Sequence, residues 1–523
     1  MARPHRSRGH RAASAVLAVA LAVGAGAVAQ PAVAAPAVVQ ALGSFRLADI
    51  PAQDGVVLKA DVFTPPPGTP GADAQGRYPV IVQPASWGQN DLEYVAQGHR
   101  FAAAGYVVVT YTVRGFWGSG GEVDVAGPKD VADISTVIDW ALAHTAADPD
   151  RVGMVGLSLG GGLTLLGAAF DARIKAVASL SGWADLTDAL YSGQTRHTQA
   201  AAVLAAIQAP TGRRSPEFAR VLDDLFADRD LPDVIRWADT RSPSAYLDRI
   251  NAHGTAVLLA NGWGDSFFNP GQITAFYQRL TGPKRLELRP GDHATQELTG
   301  LLGFSNATWN SARTWFDRYL KGAPADQGQP VDLEVRPTGV HEEHPDWQSV
   351  SSRTEQLTFD AGTRATVEGD RRSGASGGAA LLSGLLDQAA HQPPTVLVPL
   401  LDRSAAVVQQ SQPYWQGLQV RGAVRLHTTV TASAPQGTAV GYLYDVDALG
   451  VGRLIAHAPQ SWSGRPPGQA FPLDVTLFPT AYDVPAGHRL ALVLGTRDDL
   501  YGGATPPGST VTFGPADLSL PLR

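Results

Sequence analysis

From residue 78 onward the chain alternates two kinds of apolar pattern. Short, near-continuous apolar runs read as strands buried on both faces: YPVIVQPA (78–85), YVVVTYTV (106–113), RVGMVGL (151–157) and IKAVASLSG (174–182). Between them, NDLEYVAQGHRFAAAG (90–105) and PKDVADISTVIDWALAH (128–144) place apolar residues at helical spacing. Gly105 stops the first helix and Pro128 opens the second. Ahead of these, 45–66 reads as two strands around Asp54-Gly55, followed by a Pro/Gly loop over 67–77. Strand alternating with helix predicts a parallel sheet with helices on both faces.

The rhythm breaks over 184–247. HTQAAAVLAAIQAP, SPEFARVLDDLFADR and LPDVIRWA are helical with no strand between them, the pattern of an inserted helical cap. It resumes over 248–323 with TAVLLAN (255–261) and KRLELRP (284–290) as strands, and with NPGQITAFYQRLTG and NATWNSARTWFDRYLKG (306–322) as helices. From 324 to 523 helical periodicity disappears. Short strands such as VDLEVRP, TEQLTFD, TVLVPLL, AVGYLYDVD and HRLALVLGT are separated by turn residues, which predicts an all-β sandwich. GDRRSGASGGAALLSG (369–384) reads as a flexible low-complexity loop. The expected organisation is therefore an α/β core over 35–183 and 248–323, the cap over 184–247, and the β domain over 324–523.

Gly156-Leu157-Ser158-Leu159-Gly160 follows a strand and opens a helix. In that context a G-x-S-x-G turn exposes a serine hydroxyl, and its glycines let strand and helix approach. A plain Gly-rich turn would give the same letters. A serine nucleophile needs an acid and then a histidine at later strand ends. Asp265, in VLLANGWGDSFF, and His293, in LELRPGDHAT, each follow their strand by a few residues. A helix cap for Asp265 and a solvated loop for His293 are the plainer alternatives. Asp292 is a rival acid, but neighbours in a loop rarely meet in the plane a triad needs. The expected chemistry is acyl transfer, with His293 taking the Ser158 proton and Asp265 orienting the imidazole. The backbone N–H of Leu159 supplies one oxyanion donor, and the loop QPASWGQN supplies the other.

These pieces together resemble the Xaa-Pro dipeptidyl-peptidase and cocaine esterase-like (CocE/NonD) family of α/β-hydrolases. DGVVLKADVFTP resembles its opening hairpin, GYVVVTYTVRGFWGSGGE its Arg-Gly loop, GLSLGG its nucleophile elbow, NGWGDSFF its acid loop and RPGDHA its histidine loop. LFPTAYDVPAGHRLALVL (477–494) resembles its C-terminal jelly roll, and a bare hydrolase has no such tail. The resemblance implies an α/β-hydrolase fold with a cap and a galactose-binding-like jelly roll. It also implies a triad of Ser158, Asp265 and His293. The chain departs from the family at two places. Trp87 stands where family esterases often carry an oxyanion-binding Tyr, so either its indole or its backbone N–H is the second donor. Thr112 stands where relatives usually have Asp.

Composition narrows the rest. The 523 residues carry a net charge of −7, no electrostatic footprint for nucleic acid. There is no cysteine, which excludes thiol catalysis and thiolate metal sites. MARPHRSRGHR, an Ala-rich apolar run and AVAAPAVV follow the order of a secretory signal peptide over 1–34. Cleavage after Ala34 or after Ala29 fits. The n-region has no Arg-Arg pair, so a Sec-type leader and a secreted protein without a membrane anchor are expected. HEEH (341–344) spaces its histidines i, i+3 beside Pro345, unlike a zinc-protease helix, and reads as a solvated turn. No metal or cofactor is expected. Trp117, Trp183, Trp263, Phe267 and Phe268 are candidates to line an apolar substrate pocket, with core packing the equal alternative. The substrate is a small ester or amide, or a short peptide. A dipeptidyl-peptidase would need an inward acid for the free amine, for which Asp185, Asp188, Asp223 and Asp224 in the cap are candidates. An esterase or acylase would not. An inactive binding protein is the alternative of another class, and oligomeric state is not legible.

Overall fold

Val80, Val82, Val107 and Val109 pack on one face of a central sheet, and Ile81, Val108 and Val155 on the other. Both faces are covered, so the strands are apolar without a break. The computed structural model describes residues 43–359 and 365–523. The leader expected over 1–34 lies outside the described residues. The central strands are β1 (Ser44–Pro51), β2 (Val57–Thr64), β3 (Tyr78–Pro84), β4 (Val107–Tyr111), β5 (Ala147–Leu157), β6 (Ile174–Leu180), β7 (Ala256–Gly262), β8 (Lys284–Arg289), β9 (Val331–Glu334) and β10 (His341–His344). Their order is 1-2-4-3-5-6-7-8-9-10. The run from β4 to β9 is parallel, flanked by an antiparallel hairpin at each end.

The chain moves from β3 outward to β4, then returns to β5 on the other side of β3. That reversal opens a crevice at the carboxyl ends of β3 and β5, where α/β sheets bind ligands. The loop bearing Trp87 and the turn bearing Ser158 leave those two ends.

The flanking helices start and stop where their sequences dictate. α1 (Val95–Ala103) and α2 (Pro128–His144) follow β3 and β4. α3 (Leu159–Phe170) begins directly after Ser158. The cap consists of α4 (Leu186–Tyr191), α5 (Thr198–Thr211), α6 (Pro216–Ala227) and α7 (Leu231–Asp239), and α8 (Leu247–His253) leads back to the sheet. Ser215 caps α6 ahead of Pro216, and Asn269 caps α9 (Pro270–Arg279) ahead of Pro270. A short α10 (Leu298–Leu301) precedes α11 (Ala307–Lys321), which ends at Gly322 in the left-handed conformation.

The second domain is a sandwich of two antiparallel sheets. One runs Ala470–Thr476, Arg425–Ala432, Thr510–Leu522, Leu418–Gly422 and Thr480–Val484, with Arg353–Phe359 and Ala365–Glu368 also pairing on Thr510–Leu522. The other runs Thr395–Leu397, Val451–Trp462, Gly437–Val446, Arg489–Gly495 and Ala406–Gln410. Leu426, Val430 and Leu518 of the first meet Leu443, Leu492 and Leu494 of the second in one core.

Three expectations are corrected. VDLEVRP does not belong to the sandwich: β9 pairs in parallel with β8 and extends the first sheet past residue 324. HEEH is no solvated turn but strand β10, paired with β9, with Glu342 and His344 buried. Burial alternates along it, but its four polar residues carry no apolar alternation that would mark a strand. The segment 369–384 is not a free loop. Ser376 and Gly377 donate to Tyr444 and Asp498 of the sandwich, Leu381 and Gly384 donate to Ser266 and Asp292 of the first domain, and the segment runs into α12 (Ser383–Ala390).

Candidate active site

Ser158 sits between β5 and α3 with φ 58° and ψ −115°, a conformation disfavoured for residues with a Cβ. The turn is this tight because Gly156 and Gly160 nearly touch. A Cβ on Gly156 would lie 2.3 Å from the Gly160 carbonyl, and one on Gly160 would lie 2.2 Å from the Pro84 carbonyl oxygen. The result pushes the Ser158 hydroxyl out over the crevice while its N–H stays bonded to Leu180 at 2.9 Å.

His293 comes to it from the loop after β8. Its Nε2 lies 2.7 Å from Ser158 Oγ, and its Nδ1 lies 3.1 Å from Asp265 Oδ2. Asp265 Oδ1 is held by the N–H groups of Phe267 and Phe268 at 3.0 and 2.8 Å. That leaves Oδ2 for the imidazole and for Asn261 Nδ2, 3.3 Å away. The structure thus brings Ser158, His293 and Asp265 into one chain of contacts, all buried. Asp292 does not face Nδ1; it binds the His293 backbone N–H instead. Phe267 stacks on the imidazole at 4.7 Å and Phe268 meets it edge-on at 4.9 Å.

The charge balance around His293 favours the imidazolium. Burial works against the charged ring, but Asp265, aided by Asp292 and Glu297, more than offsets it, so its pKa lies above the ordinary value. Burial pushes Glu297 up to about 7, against the hydrogen bond from Ser181. Trp87 and Leu159 line the same space as Ser158. The N–H groups of Leu159 and Trp87 have no intramolecular acceptor among the described residues. The indole of Trp87 is different: its Nε1–H donates to the Leu204 carbonyl of the cap at 2.8 Å. Of the two groups of Trp87 expected as a donor, the side chain is therefore already engaged. The loop itself is fixed to β5. Ser86 Oγ donates to the Leu157 carbonyl at 2.9 Å, and Ser86 N–H donates to Glu93 at 2.8 Å.

Two spaces open on Ser158. The first, about 930 Å³ with its open mouth included, lies under the cap and is lined by Trp87, Leu159, Trp183, Leu190, Leu204, Phe218, Val221, Val234, Trp237 and Phe268 among others. No charged side chain lines it among the described residues. The second, about 870 Å³ measured the same way, contains His293 and is walled by Glu93, Ile207, Phe267, Leu298, Leu301, Leu381 and Leu385. Of the aromatic residues expected at a pocket, Trp183, Phe267 and Phe268 reach these spaces. Trp117 is half exposed and donates to the Gly88 carbonyl, and Trp263 donates to the Glu334 backbone carbonyl and faces the domain junction; both expectations are corrected. The sequence did not single out Leu204, Phe218 or Trp237, because the helical period fixes a face but not what that face covers.

None of the four cap acids reaches the first space. Asp185 caps α4 and accepts from Ser244. Asp188 faces the groove between the domains. Asp223 is exposed, and Asp224 is paired with Arg220 and Arg229.

Two family profiles match the chain. That of the X-Pro dipeptidyl-peptidase (S15 family) matches residues 54–295, and that of the X-Pro dipeptidyl-peptidase C-terminal non-catalytic domain matches 323–518. An uncharacterized 31.7 kDa protein in the traX-finO intergenic region of Escherichia coli is 36% identical over 108 residues, 20% of this chain and 37% of that protein. Hydrolase LUC6 of Fusarium sp is 34% identical over 158 residues, 28% of this chain and 35% of that protein. The matches thus span little more than a third of the length of these curated relatives. Among solved structures, an aminopeptidase from the marine sediment archaeon Thaumarchaeota archaeon superposes with a TM-score of 0.70 at 15% identity, over 95% of this chain and 99% of that one. An alpha-amino acid ester hydrolase gives 0.69 at 18% identity, over 95% and 99%. A CocE/NonD family hydrolase from Staphylococcus aureus gives 0.69 at 13% identity, over 92% and 97%. These structural likenesses establish a shared fold.

Proposed function

Because this chain belongs to the X-Pro dipeptidyl-peptidase (S15) family of serine hydrolases, we propose that it hydrolyses carboxylic esters of apolar acids through an acyl-serine intermediate. One observation carries the choice within the family. The cavity under the cap, beside Ser158, is lined almost wholly by apolar side chains and presents no carboxylate to a substrate amine. A peptide N-terminus placed there would lose its hydration without gaining a partner, at a cost of several kcal/mol.

In the proposed reaction His293 Nε2 takes the Ser158 proton as Oγ attacks the ester carbonyl. Asp265 holds the Nδ1–H tautomer and stabilises the cation. The N–H groups of Leu159 and Trp87 receive the oxyanion. The leaving alkoxide needs the proton on Nε2, and His293 stands in the second space rather than the first. The alcohol therefore leaves through the second space, and the acyl group occupies the cavity under the cap. Water then attacks the acyl-serine with His293 as base. The basic and then apolar N-terminal pattern supports export by a Sec-type route.

The test compares p-nitrophenyl butyrate and octanoate with Ala-Pro-p-nitroanilide on the purified protein, with Ser158→Ala as control. Ester turnover abolished by Ser158→Ala, with an inert anilide, is the expected result. Rapid cleavage of the free-amine anilide would make the protein a dipeptidyl-peptidase instead. Full activity in Ser158→Ala would remove the proposed nucleophile.

A further inference from the structure

Asp292 stands beside His293 in sequence but does something Asp265 does not. Its Oδ1 accepts three hydrogen bonds: from Ser266 N–H at 2.9 Å, from Ser266 Oγ–H at 2.6 Å and from the N–H of His293 at 2.7 Å. Its Oδ2 accepts Gly384 N–H at 3.3 Å. These donors come from three segments: the loop that carries Asp265, the loop that carries His293, and α12 of the second domain. Ser266 Oγ in turn accepts Leu381 N–H at 3.2 Å. The approach of α12 is close. A Cβ on Gly384 would stand 2.5 to 2.6 Å from Asp292 N, Cα and Cβ. Asp292 is 1% exposed, so these donors take the place of water around the carboxylate.

We infer that Asp292 is a positioning residue that locks the His293 loop to the Asp265 loop and makes docking of the second domain part of the catalytic geometry. The inference rests on the proposed roles of Ser158, His293 and Asp265. A loop acid serving only as a turn would need one or two of these contacts, all local. Here the carboxylate joins segments more than 90 residues apart.

The group also acts through charge. Without touching the ring, its charge adds to those of Asp265 and Glu297, and all three favour the imidazolium. Burial pushes Asp292 itself up to about 6, against its Ser266 and His293 donors. On its other side the cleft between the domains is lined by Arg336, Asp387, His197 and His457. Burial holds the two histidines low, at about 3 and about 4, so both stay neutral over the working range.

Asp292→Asn keeps the shape and removes the charge. With p-nitrophenyl butyrate, and active sites counted by fluorophosphonate titration, kcat per site is expected to fall roughly 10- to 100-fold with KM within about 2-fold, the signature of misplaced catalytic groups. The acidic limb of the kcat/KM profile is expected to move to lower pH, because a carboxylate that favoured imidazolium is gone. Gly384→Ala pushes α12 away but leaves the charge. Its kcat per site falls while the limb stays in place. A merely structural role lowers the number of titratable sites and leaves the limb unmoved. Asp292→Asn with wild-type kcat per site and a wild-type limb would overturn the inference. If that variant does not fold, Ser266→Ala decides: it removes one donor to Oδ1, and an unchanged kcat per site would likewise overturn it. Activity retained by Ser158→Ala would instead overturn the reading beneath, and this inference with it.

Discussion

Trp87 and Leu204 are joined by a 2.8 Å hydrogen bond from the indole N–H to a carbonyl of the cap. The loop that carries a proposed oxyanion donor is thus tied to the helix that roofs the apolar cavity. Phe116 and Phe218 meet the same indole edge-on at 5.1 and 5.7 Å. Trp87→Phe keeps the aromatic contact and the backbone N–H and removes only the tie. Loss of an oxyanion donor costs about 10²- to 10³-fold in kcat. The expected loss for Trp87→Phe is under about 10-fold, with a rise in KM from a looser cap. A loss of the larger size in steady-state kinetics would make the indole itself the donor.

The cavity under the cap should set acyl preference. Ala205 lies on its wall, and Ala205→Phe grows a ring into it. One methylene in such a pocket is worth about 1–3 kcal/mol. The kcat/KM for p-nitrophenyl octanoate is expected to fall at least about 10-fold while that for the acetate stays within about 2-fold. Equal losses on both esters would place the acyl chain elsewhere.

Activity should fall on the acid side at a pH above the ordinary histidine value of about 6.5. His293 must be neutral to take the Ser158 proton, and its carboxylate neighbours raise its pKa above that of a free histidine. The fraction in the active form therefore declines as pH falls through this raised value. A kcat/KM profile, which reports the free enzyme, locates the limb. A midpoint clearly below 6.5 would mean that burial outweighs the carboxylates.

Where the first sheet meets the sandwich, Arg421 is fully buried. It is bidentate to Glu342 at 2.9 and 2.8 Å and reaches Asp483 at 2.7 Å. Arg421→Met leaves Glu342 with the half-exposed Arg523 and with His344 at 3.5 Å. Breaking a buried pair from one side costs about 3–5 kcal/mol. Thermal unfolding should show a large fall in Tm, while activity of the folded enzyme at 25 °C is kept. Burial works against the Glu342 carboxylate, but Arg421 and Arg523 hold its pKa down at about 2. Its folded value is below its ordinary 4.5, so its stabilisation is present above about pH 4.5 and is lost as pH falls toward 2. The acid-unfolding midpoint of Arg421→Met should therefore lie at higher pH than that of the wild type.

The sequence alone determined what depends on near neighbours. Apolar runs buried on both faces marked β3 to β7, and an alternating run marked β8. The 3.6-residue period and its Pro, Ser and Asn caps marked α2, α5, α6, α7 and α11 to within about two residues. The pattern over 90–105 began ahead of α1, and the short α4, α8, α10 and α12 carried too few turns to show a period. The glycines around Ser158 marked a turn that only small residues can make. Strand ends followed by Asp265 and His293 put both at the crevice side of the sheet, because parallel strands all point their carboxyl ends one way.

Tertiary structure decided what depends on contacts between distant segments. Which acid faces Nδ1 turned on the Phe267 and Phe268 amides, which aim Asp265, and on Ser266 and Gly384, which hold Asp292 away. The indole of Trp87 met a carbonyl 117 residues along the chain, which no local pattern encodes. β9 and β10 joined the first sheet because the edge of β8 offered unpaired backbone groups, while their own letters fit either domain. The segment 369–384 looked unstructured because glycine and serine specify little by themselves. Its conformation comes from the surface it packs on, and at Gly384 that surface leaves no room for a side chain.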